Sequence, residues 1–440
     1  MLPMPFFRKH VTCALLLCTP MLALPHPIIA ADTEYIAIRK AGSTSIALVL
    51  DTFEVTTGTS PALARQATTL VRDGLDFTGL FTLLQPPLNV KTSSLFSSST
   101  INFKALDSIG GAFYAVGTLS SSGGEITLDG QVFEVATGKV LFGKRYRGTE
   151  SQLRALSHAF SGDVVEFLTG KKSVFGSQIV FISNKSGSKE IYSCDFDGAN
   201  VHQLTNFRSI ALTPALSPDG AYLAFTDFTG GKPALAIREL ATGKTTRVAK
   251  KGNSIDPAWR NSRELATTFS FEGDQELYLL DSAGAVKQRL TSSSGIDLSP
   301  TFSPDGRKMA FVSARSGNPQ IFVYDFSSGK SQRLTFSGRY NTQPAWSPIG
   351  DKIAFSTWES GGEINIFVIN TDGSGLTQLT TQSGENESPS WSPDGRMIVF
   401  ASNRQGVKKL YVMMADGKNQ RPLLAIGGEQ TQPSWSLFSR

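Results

Sequence analysis

Beyond Gly176 the chain alternates short apolar runs with turn residues, and the runs return in a fixed order. A run of the type Ile179-Val-Phe-Ile-Ser recurs as Leu223-Ala-Phe-Thr, Met309-Ala-Phe-Val-Ser, Ile353-Ala-Phe-Ser and Ile398-Val-Phe-Ala-Ser. Behind it comes a second run, Ile191-Tyr, Leu235-Ala, Leu277-Tyr, Ile321-Phe, Ile366-Phe or Leu410-Tyr, and then a third of the type Gln203-Leu-Thr or Arg333-Leu-Thr. Ahead of it stands a lead proline with an aromatic residue and a turn: PALSPDG, PAWRNSR, PTFSPDG, PAWSPIG, PSWSPDG and PSWSLFS, from Pro214, Pro257, Pro300, Pro344, Pro389 and Pro433. The lead prolines are 43, 43, 44, 45 and 44 residues apart. Four strand-like runs in a repeat of roughly 40 to 45 residues make a propeller blade.

The arrangement of the pieces predicts how the ring closes. The first unit begins at Ile179 without a Pro-x-Trp strand, and the chain ends on an unpartnered strand at 432–436. Inner and outer strands balance only if this last strand completes the first blade, which gives six blades and no free edge between first and last. Ser-Pro-Asp-Gly sets the turn, with proline fixing φ and glycine free to turn positive. The aromatic residue is expected to pack between neighbouring blades, and the Pro257 repeat, lacking both Pro and Gly in its turn, is expected to turn less regularly.

Ahead of the repeats, the pattern mixes periods of two and 3.6. Residues 46–50 read as a buried strand, and Ser60-Pro61 opens a helix with Leu63, Ala67, Leu70 and Val71 on one face. Three strands follow at 113–119, 125–134 and 140–146. Thr149 with Gln152 forms a capping box before a second helix, whose apolar face runs from Leu153 to Phe167 and which Gly170 ends. The expectation is an α/β domain, two helices on a mixed sheet, over 32–172, followed by an all-β six-bladed propeller over 173–440. The Ser-rich stretch 93–99 reads as a loop.

Composition changes this picture at the N-terminus. Arg8, Lys9 and His10 precede an apolar run that Pro20 and Pro25 interrupt, so residues 1–31 read as a secretory signal and the mature protein as soluble. Cys13 and Cys18 leave with it, so Cys194 remains alone and no internal disulfide forms. The formal charge of +5 falls as well. So mild an excess does not argue for nucleic acid, and no nucleic-acid partner is expected.

Candidate chemistry is sparse. His158 and His202 lie in different domains, outside any metal-ligand spacing, and there is no Gly-x-Ser-x-Gly elbow and no phosphate-binding loop. His158 suits a helix surface or domain interface, His202 a strand, and Cys194 a buried small side chain. Polar side chains collect at one recurring place, just before each lead proline: Asn253, Asp256, Asp297, Ser299, Asn341, Gln343, Glu385, Asn386, Glu387, Glu429, Gln430 and Gln432. Any one of them reads equally as an ordinary loop residue. Together, on strands that line a channel, they predict a polar, partly anionic mouth suited to a peptide segment or a cation, with loops at 184–187, 271–274, 358–362 and 403–406 on its rim.

With its signal, α/β domain and six Ser-Pro-Asp-Gly-type blades, the chain resembles the TolB family, the periplasmic component of the Tol-Pal system of Gram-negative bacteria. The junction from Leu153-Arg154 through His158 to Leu168-Thr169-Gly170 and Phe175 carries the most specific likeness. The resemblance implies a periplasmic protein without enzymatic activity, a monomer within its complex and not inserted in the membrane. It implies that the mouth binds the lipoprotein Pal, that the N-terminal segment and first domain communicate with TolA, and that the protein supports outer-membrane integrity, constriction at division and protein import. Onto this chain the N-terminal segment carries over as Glu34, Tyr35, Ile36, Ala37, Ile38 and Arg39, an alternating run suited to strand addition. The His-Asn-Gly-type loop of the family is here Asn253-Ser254-Ile255-Asp256, a departure at one contact. Two other readings stand beside this one: an exported hydrolase or lyase using channel carboxylates with bound calcium, and an outer-membrane assembly scaffold without Pal.

Overall fold

The computed structural model describes residues 45–436 apart from 57, 89, 91–99, 249–251 and 360, together with all side chains in that span except those of 271 and 272. The expected signal, the segment 34–39 and the Ser-rich stretch lie outside the described residues.

The first domain is built from β1 (Ile46–Leu50), β2 (Glu54–Val55), α1 (Pro61–Phe77), β3 (Phe81–Leu84), α2 (Phe103–Ser108), β4 (Phe113–Ser122), β5 (Glu125–Glu134), β6 (Val140–Thr149) and α3 (Leu153–Thr169). Its sheet runs β3-β1-β4-β5-β6, with β1 parallel to both neighbours and the last two pairs antiparallel. Ser60 caps α1 by accepting from the Ala62 amide, and the Thr149–Gln152 capping box opens the turn that leads into α3. Gly170 closes α3 at φ 66°, a left-handed conformation that glycine adopts without a Cβ clash. Phe160 of α3 is wholly buried, with its ring edge-on to Phe53 and Tyr146. It lies so close to β5 that a Cβ on Gly130 would stand 2.4 Å from the ring.

Two helices were expected, and three are present among the described residues. Helix α2 covers the other face of the sheet, where Leu106 joins Val49, Tyr114, Val116 and Phe133. Six residues are too few for a 3.6-residue period to register, and tertiary packing holds this turn in place of propensity.

From Gln178 onward there are six antiparallel four-stranded sheets. Blades 2 to 6 begin with Ala211–Leu216, Ser254–Asn261, Asp297–Phe302, Tyr340–Trp346 and Asn386–Trp391. Blade 1 begins with the C-terminal strand Gln430–Trp435, which pairs antiparallel with Gln178–Ser183 in the register Gln430↔Ser183 and Trp435↔Ile179. First strands of successive blades pack on one another all the way round, so they surround the axis. Tryptophan indoles bind across junctions as expected: Trp259 Nε1 donates to the Ala215 carbonyl and Trp391 Nε1 to that of Ala345, each at 3.0 Å. Trp346 instead donates to Gly350 in its own turn. Turning at Asn261–Glu264, the third blade uses a two-residue hairpin in which the Asn261 side chain accepts from the amides of Arg263 and Glu264. The loop expected at 271–274 shrinks to a turn at Gly273, because the flanking strands pair to Glu272↔Asp274.

The first domain and the propeller share a charged and aromatic seam. Arg154 of α3 reaches Asp195 at 3.2 Å and Asp197 at 2.6 Å, both in blade 1. One turn later His158 sits between Phe175 and Phe196, with ring centroids 5.5 and 5.2 Å away. Burial, and after it the Arg154 charge, push its pKa down to about 4, against the opposing pull of Asp197 and Asp195. On blade 6, Arg421 donates to the Phe77 carbonyl at 2.8 Å and lies over the Phe77 ring. His158 thus takes the interface role, His202 lies exposed in a short outer strand, and Cys194 is buried with its thiol pKa pushed up by desolvation.

Candidate functional site: the propeller mouth

Each first strand carries a β-bulge at its lead proline, where two residues oppose one on the neighbouring strand. The residue before the proline is left-handed in every blade: Thr213, Asp256, Ser299, Gln343, Ser388 and Gln432 have φ between 49° and 56°. Proline supplies no amide to the ladder, and the bulge turns these six side chains toward the axis. They pair between blades 1 and 2, 3 and 4, and 5 and 6. Gln432 Oε1 accepts from the Thr213 amide (2.9 Å), Asp256 Oδ2 from the Ser299 hydroxyl (2.7 Å), and Gln343 Oε1 from the Ser388 amide (2.9 Å). Desolvation raises the pKa of the Asp256 carboxyl while the Ser299 bond opposes it, although the residue is only half-buried by area.

The remaining predicted residues separate into two groups. Asp297, Asn341, Asn386 and Gln430 were expected at an open mouth, yet all are fully buried. They open their strands pointing into the junction with the preceding blade, since consecutive strand residues face opposite sides. Asn341 donates to Gln320 Oε1 (2.8 Å) and the Ser337 carbonyl (2.7 Å) while accepting from Thr357 (2.9 Å). Gln430 donates to the Ile426 carbonyl and accepts from the Leu410 amide. Because removing Asn341 strands several buried partners, Asn341→Ala is expected to cost about 2–3 kcal/mol of stability in a denaturant titration, against under about 0.5 for Glu385→Ala.

The outermost residues do reach solvent, but the anionic character expected of them is offset in part, two lysines standing against three carboxylates. Lys408 bridges Glu387 at 2.7 Å and Glu385 at 3.3 Å, and Lys189 meets Glu429 at 3.4 Å. Asn253 is exposed at the rim of blade 3.

What the sequence reading passed over lies on the rim of blades 4 and 5. Phe336 is 74% exposed and Trp358 44%. The Tyr340 and Trp358 rings lie 5.3 Å apart with Arg339 against both, and Arg333 covers Phe336 at 4.8 Å. Ile210 and Ile296, in the loops that enter blades 2 and 4, are exposed as well. Aligning the repeats by column gives only a weak signal: where this chain has Trp358, the matching positions hold Asn184, Phe228, Ser270, Ala314 and Asn403, so one other blade also carries an aromatic there.

Residues 165–439 match the TolB beta propeller domain, and residues 34–141 match the TolB amino-terminal domain. A protein TolB homolog of Chlorobium luteolum is 55% identical over 405 residues, covering 92% of this chain and 93% of that one. The chain belongs to the TolB family. A Tol-Pal system protein TolB from Desulfosudis oleivorans is 42% identical over 66% of each chain. The crystal structure of TolB from Acinetobacter baumannii superposes with a TM-score of 0.77 at 26% identity, covering 90% of this chain and 97% of that one. The α/β domain followed by a six-bladed propeller is therefore the TolB architecture. Among the described residues no helix is long and apolar enough to cross a membrane, and no three His, Cys, Asp or Glu side chains gather to hold a metal.

Proposed function

We propose that this chain is a non-enzymatic binding module of the Tol-Pal system in the periplasm, holding the lipoprotein Pal at the propeller mouth. The observation that carries this is the aromatic and arginine ledge of Phe336, Arg339, Tyr340 and Trp358 on the mouth face, in which Phe336 and Trp358 are exposed and Tyr340 is half-buried beneath Arg339. Exposed aromatics flanked by guanidinium groups have the composition of interface hot spots. The acidic residues of the mouth favour this reading over a hydrolase or lyase. Glu385 and Glu387 share Lys408, Glu429 meets Lys189, and Asp256 is bonded to Ser299, so the described carboxylates of the mouth are engaged with partners rather than set opposite one another as an acid and a base. No cofactor enters the reading. TolA is the second partner, reached through residues 34–39 and the first domain, and the seam at Arg154 and His158 is where the two engagements would communicate. Joining both envelope layers in this way would support outer-membrane integrity, constriction at division and protein import.

The test is calorimetric titration of the periplasmic domain of Pal into the parent protein, Phe336→Ala and Trp358→Ala. A roughly ten-fold or greater loss of affinity is expected for at least one variant, corresponding to about 1.4 kcal/mol, with unchanged melting temperatures. Parent-like affinity in both variants would move the site off the ledge, and a parent that binds no Pal would end the reading. Deleting residues 32–39 is expected to spare Pal binding and abolish capture of TolA.

A further inference from the structure

At two successive blade junctions the same amide bond recurs. Asn341 Nδ2 donates to Gln320 Oε1, which also accepts from Thr335; Asn386 Nδ2 donates at 3.3 Å to Asn365 Oδ1, which also accepts from Thr380. At the junction of blades 3 and 4 the corresponding residues are Glu276 and Asp297, both essentially without exposure. Thr291 donates to Glu276 Oε2 just as Thr335 does to Gln320, and the Ser293 amide donates to Oε1 at 2.7 Å. Asp297 Oδ2 accepts from Arg315 at 2.7 Å and from the Ser293 hydroxyl at 3.2 Å, whereas its buried Oδ1 has no donor. Two amides can bridge this position because one supplies an N–H. Two carboxylates cannot.

We propose that Glu276 and Asp297 share one proton across this junction, so that a carboxylic O–H makes the bond that Asn341 and Asn386 make with their amides. The charged groups facing the pair from the elements around it are Arg289, 3.5 Å from Glu276, and Arg315. The two guanidinium charges oppose protonation, so burial and the mutual repulsion of the two carboxylates have to outweigh them, and one proton rather than two is retained; among the described residues no third ligating side chain is there to hold a metal ion. Burial, with the Asp297 charge adding to it, holds the Glu276 carboxyl above its usual range, although the Thr291 bond opposes the shift. A carboxyl whose pKa is raised on folding stabilises the fold below that raised pKa, and the contribution is lost as the pH rises through it. The loop fastened by Ser293 carries Ile296 to the rim, so pH sets how firmly this part of the mouth is held.

Thermal melts of the full-length parent, Asp297→Asn and Glu276→Gln between about pH 5 and about pH 9 test this, alongside infrared spectra of the parent. Either variant restores an amide donor. Its melting temperature is expected to exceed that of the parent by about 2 °C or more at the alkaline end, with the gap closing toward acid. The parent is expected to show the carbonyl stretch of a protonated carboxyl at neutral pH, absent from the variants. Parallel pH curves for all three proteins, or a parent without that band, would overturn the shared proton. Should both variants fail to fold, the band in the parent decides alone: a band that fades as the pH rises supports the proposal, and its absence ends it.

Discussion

Deleting residues 432–440 is expected to abolish the cooperative unfolding transition of the propeller rather than merely lower it. The lost residues include most of the strand that pairs with Gln178–Ser183 and the indole of Trp435, whose Nε1 donates to the Ser177 hydroxyl at 2.9 Å. Ile179 and Phe181, now wholly buried, would come to lie on an open edge. Trp435→Ala alone should cost about 3–5 kcal/mol, the range for emptying a large aromatic site. Calorimetric scans of parent, truncation and point variant check this. A truncated protein with the parent's single sharp transition would contradict closure by the C-terminal strand, and a synthetic peptide spanning 430–440 should restore part of the lost stability by adding the strand in trans.

The second large effect is acid lability at the seam between the domains. His158 has its pKa pulled from about 6.5 to about 4, mainly by burial. The stability associated with neutral His158 is fully present above pH 6.5 and drains away as the pH falls toward 4, because the unfolded chain takes up the proton first. At 1.36 kcal/mol per unit the full loss is about 3 kcal/mol. Melts between pH 7 and pH 4.5 should therefore show the parent falling faster than His158→Leu, which has nothing to protonate. Equal slopes would remove the histidine from the account.

The ring was legible in the sequence because the repeats state it redundantly: the lead proline recurs six times, the Leu-Thr run four times and the Pro-Asp-Gly turn three times, always at matching places. Helices α1 and α3 were legible from their caps, Ser60-Pro61 and the Thr149–Gln152 box. The site was less so. Asn341 and Glu385 look alike before a lead proline, and only strand alternation sends the first into a junction and the second to solvent. Pairing is likewise a property of folded geometry, since Lys408 lies 21 residues from the Glu387 it neutralises. Phe336 and Trp358 escaped because a single exposed aromatic carries no period; only their meeting with Arg333, Tyr340 and Arg339 gives them meaning.

The left-handed residues at the six bulges have a consequence for how this protein tolerates change. Glycine would occupy φ near 50° without strain, while any other residue gives up roughly 1 kcal/mol there. None of the six is glycine, and Thr213 is β-branched, the least comfortable kind of side chain for that backbone. The bulge geometry therefore does not depend on the residue that occupies it. Each blade offers one position at which the lining of the lumen can be rewritten, from hydroxyl to amide to carboxylate, without shifting the register of any strand.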